Sequence, residues 1–459
     1  MFYLIITLSV YFVSVLLVGI LRFRHQTPKE YITAPSSTGF LALTASLLGT
    51  IVGGGMFLGV AQLGFEKGIT VFALGISYFV GSIILGLLAP HFRNYAKDNN
   101  ITTLFGVFEK LYPSKGRIGL AVIFAWMTFL VFFLMLAVQF VGIATFLSFY
   151  IRINFHLTIM IGAVILAGIS IPIYTAIGGF KRDIYTDIIQ VLFVCLGLGI
   201  VLYGMMSNEV ADKLSRLPNE LTTFQSDDTI FFVGVLFLVA PTFLVRFDLW
   251  QRMITAKSNR HVRAAFFVSG ILSFLFFVAF GIIGMYANAE GVRDARFAGL
   301  EVIQMVVKGP LGAVVVAAFF AAVMSSADTF LGVSALAVAR STIYRKGELE
   351  DPDKKNVSVR RLRFFTFFVG VASMGLAYAF LDIIDLFASA FGILMVFLPP
   401  FVGGLVRKKP GTKEAWWSVC AGLAVFLPLV IFIPKEAFLV GFTVSLIAYL
   451  VSASVHKEA

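Results

Sequence analysis

Two aspartates stand inside stretches that are otherwise too apolar to carry charge. Asp187 lies in Tyr185-Thr186-Asp187-Ile188-Ile189-Gln190, and Asp328 lies in Met324-Ser325-Ser326-Ala327-Asp328-Thr329. A carboxylate surrounded by hydrocarbon neutralises unless a cation or hydrogen-bond donors compensate it. Ser325, Ser326, Asp328 and Thr329 gather oxygen atoms within about one helical turn, where positions three or four apart share a face. Carboxylates, hydroxyls and free backbone carbonyls are the ligands a hard cation such as Na⁺ takes. The same aspartates could instead carry a proton, and serine pairs alone also serve as hydrogen-bonding glue between packed membrane helices. Arg246 and Asp248 form a second charged pair, which reads as a structural ion pair or part of a gate. The five histidines (His25, His91, His156, His261 and His456) are scattered. They form no metal-ligand spacing and no nucleophile–base arrangement, so nothing nominates an enzyme.

The elements that would position these groups are themselves interrupted. Gly53-Gly54-Gly55 falls near the middle of one apolar run, and glycine costs about 1 kcal/mol per helical position relative to alanine. Ala240-Pro241-Thr242 falls near the middle of another, where proline removes a backbone hydrogen bond and clashes with the preceding turn. Paired broken helices are a sequence pointer to a midplane site for solute and ion. Gly53, Gly54, Gly55, Met56, Pro241 and Thr242 are therefore the candidate solute-binding positions.

The frame around them follows from composition. Hydrophobic residues make up 59% of the 459 positions and charged residues 13%, against about 25% charged in a soluble domain. Most of the outer surface must face lipid. The net charge of +11 is spread through short segments between apolar runs, which argues against nucleic-acid binding and for contact with anionic headgroups. Cys195 and Cys420 sit inside apolar runs and read as inert core thiols. Runs near the roughly 20 residues needed to span a bilayer occur at 2–21, 39–63, 68–92, 118–149, 154–176, 184–206, 228–250, 263–287, 311–339, 364–381, 383–406, 415–433 and 437–454. The expectation is an all-α polytopic membrane protein of about thirteen spans.

Starting with the N-terminus outside, 28 of the 36 Lys and Arg fall on the cytoplasmic side, as the positive-inside rule requires. The first run has no basic residue before it, and Arg22 and Arg24 follow it, so it reads as a retained span with the C-terminus cytoplasmic. The two interrupted runs lie five apart, so each opens a five-span unit, and an odd number gives the units opposite orientation. The expected organisation is a first span and loop at 1–38, an inverted-repeat core at 39–406 (39–206 and 228–406), and two further spans at 407–459.

Three stretches in register resemble the sodium:solute symporter family. Tyr174-Thr175-Ala176-Ile177-Gly178-Gly179-Phe180 running to Thr186-Asp187-Ile188-Ile189-Gln190 is similar to its Gly-Gly and Thr-Asp-x-x-Gln signature. Asp248-Leu249-Trp250-Gln251-Arg252 with Ala256-Lys257-Ser258 is similar to its Gln-Arg and Ala-Lys-Ser segment. Ala321 to Thr329 with Ser334 is similar to its Ala-x-Met-Ser-(Ser/Thr)-x-Asp-Ser pattern. The resemblance implies a LeuT-type fold of five plus five inverted spans and alternating access coupled to Na⁺, with no other cofactor. It implies a sodium site on Gly49, Val52, Ala322, Ser325 and Ser326, and a second on Asp187, Ser326, Asp328 and Thr329.

Together these readings lead to the expectation of a Na⁺-coupled importer of a small organic solute, carboxylate-bearing because half-helix N-termini favour anions. It would act as a single copy in a plasma membrane, the inner membrane of a bacterium. The alternatives are a proton-coupled carrier or exchanger of the same fold, and a membrane sensor working with a partner.

Overall fold

The computed structural model describes residues 2–22, 26–34, 36–114, 119–152, 157–224, 228–353, 355, 357–379, 383–407 and 410–455. Arg24, His25, His156 and His456, named above, and Lys115, Arg117, Lys354, Lys408, Lys409 and Lys457, counted among the 28 cytoplasmic Lys and Arg, lie outside the described residues.

The described residues are mostly helical, and the apolar runs read from the sequence fall largely on helices. In order these are α1 (Phe2–Arg22), α2 (Pro28–Ile32), α3 (Phe40–Ile51), α4 (Ala61–Lys67), α5 (Phe72–Asp98), α6 (Leu104–Leu111), α7 (Leu120–Arg152) and α8 (Leu157–Met206). There follow α9 (Val210–Ser215), α10 (Asn219–Thr222), α11 (Asp228–Val239), α12 (Phe247–Thr255), α13 (Asn259–Ala289), α14 (Ala298–Val306), α15 (Leu311–Thr342), α16 (Val359–Ala379), α17 (Ile383–Val406), α18 (Thr412–Phe432) and α19 (Ala437–Val455). Among the described residues eight helices are long and apolar enough to cross a bilayer, or nine with α11 and α12 taken as one bent span.

Both interruptions are present. α3 ends at Ile51, Val52 leaves the helix at φ −87°, ψ 76°, and the chain resumes as a π-helical turn over Gly55–Val60 before α4. The glycines are required here by close approach. A Cβ on Gly53 would lie 2.5 Å from Ser326 Oγ and 2.8 Å from Gln139 Oε1, and one on Gly55 would run into the Phe387 ring. α11 passes through a 3₁₀ turn at Ala240–Leu244, then bends by 44° into α12.

α8 is 50 residues long. At about 1.5 Å per residue a straight helix of that length would far exceed a bilayer. Gly179 breaks it at φ 61°, ψ −175°, a region essentially reserved for glycine, and so separates the runs at 154–176 and 184–206. The ring of Tyr31 from α2 packs where a Gly179 Cβ would stand. α2 is thereby pinned over the kink, with Tyr31 Oη donating to Ala176 O at 3.1 Å.

α15 forms the axis of the molecule, packed against α8, α7, α16 and α1. It is buried from Ala313 to Arg340 with few gaps. Cys195 and Cys420, expected in the core, are exposed on α8 and α18. Helices that are apolar all round do not reveal in sequence which face meets lipid.

Replacing Gly179 with alanine is expected to lower the melting temperature markedly. Backbone strain of about 1–3 kcal/mol adds to the collision with Tyr31. A thermal melt matching the parent would show that α2 is not held by this kink.

Candidate functional site

Helices α3 and α15 meet where α3 loses its backbone ladder. Ser326 Oγ donates to Gly49 O at 3.0 Å and lies 3.3 Å from Thr50 O. Ser325 Oγ donates to Asp187 Oδ1 at 2.5 Å. Gly49 leaves no room for a side chain: a Cβ would strike the Ser325 hydroxyl and stand 3.2 Å from Asp187 Oδ1. Gly49, Ser325, Ser326 and Asp187 are all fully buried or nearly so. Carbonyl oxygens from a helix end and hydroxyls from a facing helix are a donor set suited to a small hard cation. Of the residues the resemblance pointed to, Gly49, Ser325 and Ser326 meet here, Val52 is the residue at which the ladder ends, and Ala322 lies one turn earlier on α15.

A charge cluster adjoins this contact. One carboxylate oxygen from each of Asp183, Asp187 and Asp328 lies within 4.8 Å of the others. Asp328 Oδ2 accepts from Tyr174 Oη at 2.5 Å and its Oδ1 accepts from Thr329 N at 2.9 Å. Thr329 Oγ1 donates to Asp183 Oδ2 at 2.9 Å and accepts from Arg252 Nη2 at 2.8 Å. The same Arg252 nitrogen is 3.6 Å from Asp187 and 3.8 Å from Asp183, while Nε donates to Ser46 Oγ at 2.9 Å. Arg182 lies over the Tyr174 ring, 4.1 Å from its centroid, and donates to the Tyr174 carbonyl. With all three carboxylates ionised, the two guanidinium groups leave one negative charge, which one monovalent cation or one proton would balance. Among the described residues Asp183 Oδ1 and Asp187 Oδ2 have no hydrogen-bond partner, nor do Thr175 Oγ1 and Gln251 Oε1 nearby. Buried oxygens in this state are costly unless a cation or water supplies the missing charge. A cavity of about 40 Å³ bounded by Asp183, Asp328, Thr175 and Gln251 is large enough to admit one.

Sequence reasoning found Asp187, Asp328 and Thr329 but passed over Asp183, because Lys181-Arg182-Asp183 reads as a loop between spans. Its available signal was the four-residue spacing to Asp187, which puts both on one helical face. Ser326 points to the α3 carbonyls, and Ser325 takes the contact with Asp187.

Arg246 and Asp248 form a buried bidentate pair, at 3.1 Å through Nε and 2.6 Å through Nη2. The guanidinium carbon lies 5.5 Å from the Phe243 ring centroid and 5.9 Å from that of Phe391. Thr242 Oγ1 donates to Val239 O at 2.6 Å inside the 3₁₀ turn. At the α3 break, Gly54 N donates to Gln139 Oε1 at 2.8 Å, so this buried amide side chain of α7 occupies one freed amide.

Two cavities reach the break. One of about 460 Å³ is bounded by Met56, Gly59, Tyr78, Leu238 and Phe387, and extends to Lys435 and Glu436. A recess of about 10 Å³ lies on the far side of Phe387, between Gln139, Arg246, Gly53 and Ser326. At the other end of the α11–α12 segment the chain is shut. Ser37 N and Thr38 N donate to Thr255 O at 3.0 and 2.9 Å, Lys257 N donates to Thr38 O at 2.8 Å, and Gln251 Nε2 donates to Ile32 O at 2.9 Å.

A multi-pass helical membrane protein with two broken helices, one of them broken against buried oxygens of a facing helix, has the architecture of a secondary transporter. The chain belongs to the sodium:solute symporter family, whose model matches residues 31–422. It is 25% identical to the sodium/pantothenate symporter of Escherichia coli, over 93% of this chain and 90% of that one. It is 24% identical to an osmoregulated proline transporter of Bacillus subtilis, over 92% and 88%. Among solved structures it resembles a substrate-bound, outward-open Na⁺-coupled sialic acid symporter, with a TM-score of 0.79, 18% identity, and coverage of 99% of this chain and 98% of that one. A complex of MhsT with L-phenylalanine matches with a TM-score of 0.54, at 16% identity, over 90% and 98%. The fold is the LeuT type that the sequence motifs implied.

Removing Arg252 tests the charge balance. Arg252→Met is expected to destabilise by about 3–5 kcal/mol, the cost of stranding buried carboxylates. Adding Asp183→Asn should recover part of the loss in a thermal melt. A single variant as stable as the parent would show that the guanidinium does not compensate the cluster.

Proposed function

We propose that the protein imports a small organic solute bearing one carboxylate, by alternating access coupled to Na⁺. The observation that carries this reading is the contact of Ser325 and Ser326 with Gly49 and Asp187, which ties the α3 break to the buried axis helix. In the proposed mechanism Na⁺ is bound by the carbonyl oxygens of Gly49, Val52 and Ala322 and the hydroxyls of Ser325 and Ser326. Those ligands come from two elements, so the ion binds well only while α3 and α15 are adjacent. An ion that prefers one state shifts the population toward it, whereas equal binding to both would shift nothing. Asp187, Asp328 and Thr329, joined by Asp183, form the second cation position, with Ser326 at its edge.

The solute is held beside the break, against Gly53, Gly54, Gly55 and Met56 on one side and Pro241 and Thr242 on the other. The Gly54 amide is directed at an oxygen acceptor, the Gln139 carbonyl, and a solute carboxylate is the acceptor proposed to replace it. Arg246 and Asp248 brace the floor of this space as a neutralised pair. The core spans 39–406, as two opposed repeats at 39–206 and 228–406. The protein makes thirteen crossings of a bacterial inner membrane with its N-terminus outside, and each chain works alone.

A proton-coupled carrier of the same fold is the second reading, favoured by the three neighbouring carboxylates, any of which could hold a proton in place of the ion.

The test is solute-dependent thermal stabilisation and uptake in Na⁺ against equal choline. A native-state ligand at 100 times its Kd stabilises by about 2.7 kcal/mol. Stabilisation should need Na⁺, and Ser326→Ala should weaken the Na⁺ dependence at least tenfold. Uptake that ignores Na⁺ but follows a pH gradient would replace this reading with the proton-coupled one.

A further inference from the structure

We infer that the carried solute has an apolar body of aromatic or branched-aliphatic size and a single polar head, and is not a polyol, a sugar or a small polar amino acid. The inference rests on the transport reading and specifies the chemistry of the solute.

The cavity that descends to the α3 break holds about 460 Å³, within the roughly 300–1,000 Å³ range of small-molecule sites. Its walls are hydrocarbon and aromatic: Met56 and Val60 of the broken segment, Leu238 of α11, Phe277 of α13, and Phe387 and Phe391 of α17. Tyr78 lies in an aromatic cluster, with ring centroids 4.8 Å from Phe277 and 5.5 Å from Phe243. Lys435 and Glu436 also line the cavity, and the chain carries them between α18 and α19. Below Lys435 and Glu436, a solute with several hydroxyls would surrender its hydration among these walls and regain few partners, which is unfavourable.

The polar capacity at the bottom is small and largely committed. Arg246 spends two donors on Asp248. Gln139 accepts from Gly54 N and its amide nitrogen lies 3.3 Å from Met135 O. The Met56 and Phe57 amides donate to Gly53 O at 3.0 and 3.1 Å. The recess beyond Phe387 is about the size of one water, so a single head group is admitted there only by taking the place of Gln139, the residue that exchanges. Phe387 separates the recess from the larger cavity and packs on the bare Gly55 backbone. In this position a substituent at residue 55 would exclude the ring.

The experiment is a thermal-shift titration of the purified full chain in Na⁺ and in choline. The probes are phenylpropionate and isocaproate on one side, and proline, pantothenate and myo-inositol on the other. The expected result is an apparent Kd for phenylpropionate roughly tenfold or more below that of every polar probe, since affinity here grows with buried apolar area. Leu238→Asn, which places an amide in the wall, should weaken phenylpropionate binding roughly tenfold, with its melting rise in Na⁺ alone showing that the variant is folded. Stabilisation by the polar probes but neither apolar acid overturns the inference. So does stabilisation by none of the probes, or an affinity for phenylpropionate untouched by Leu238→Asn. Phenylpropionate binding equally in choline and Na⁺ would instead count against sodium coupling and leave the solute class standing.

Discussion

The Ser326 hydroxyl reaches two carbonyl oxygens where α3 loses its helical ladder, and Ser325 beside it reaches Asp187 on α8. Three elements are joined at one point, and one of them is the buried axis of the molecule. A break in a membrane helix is tolerable only where its freed backbone groups find partners inside the protein. Here the partners come from α15 and from Gln139 on α7. The glycine at 53 follows from this constraint, since a side chain there would push away Ser326 and Gln139, which satisfy the backbone; one at 49 would displace the Ser325 hydroxyl and one at 55 the Phe387 ring.

The charge cluster and the two ends of the protein depend on the same junction. Asp187 links the serine pair to Arg252, and Arg252 lies on α12, the continuation of the second broken helix. The end of α12 and the residues after it hold Ser36, Ser37 and Thr38 through Ile254, Thr255 and Lys257, while α2 in turn sits on the Gly179 kink of α8. A change at the oxygens proposed to bind the ion can therefore reach the closed end through one side chain and one short helix. The opposite end keeps an apolar cavity leading to the break. A closed end, an open cavity and a site between them are the parts that alternating access requires.

Much of this was legible in the chain, for reasons that differ between residues. The Ser325–Thr329 oxygens and Asp187 stood out because polar groups in apolar runs are expensive, and the two breaks stood out because glycine and proline disturb helices by known amounts. Asp183 did not, since a charged residue next to Lys181 and Arg182 looks like a loop until the kink at Gly179 carries it into a buried helix. Gln139 is one of a few polar residues in a long apolar helix, and its partner is 85 positions away. The outward placement of Cys195 and Cys420 was likewise invisible. In lipid, a helix has no polar face to mark which side turns outward.

The account rests on an ion that binds the α3 break and α15 together, and amide hydrogen exchange of those two segments tests this most directly. Exchange would be followed at 49–57 and 322–329 in Na⁺ and in equal K⁺, with Ser326→Ala as the control. Na⁺ should slow exchange in both segments together, and the variant should lose the effect in both. Equal exchange in the two salts, or protection confined to one segment, would contradict the claim that a shared sodium ion joins them.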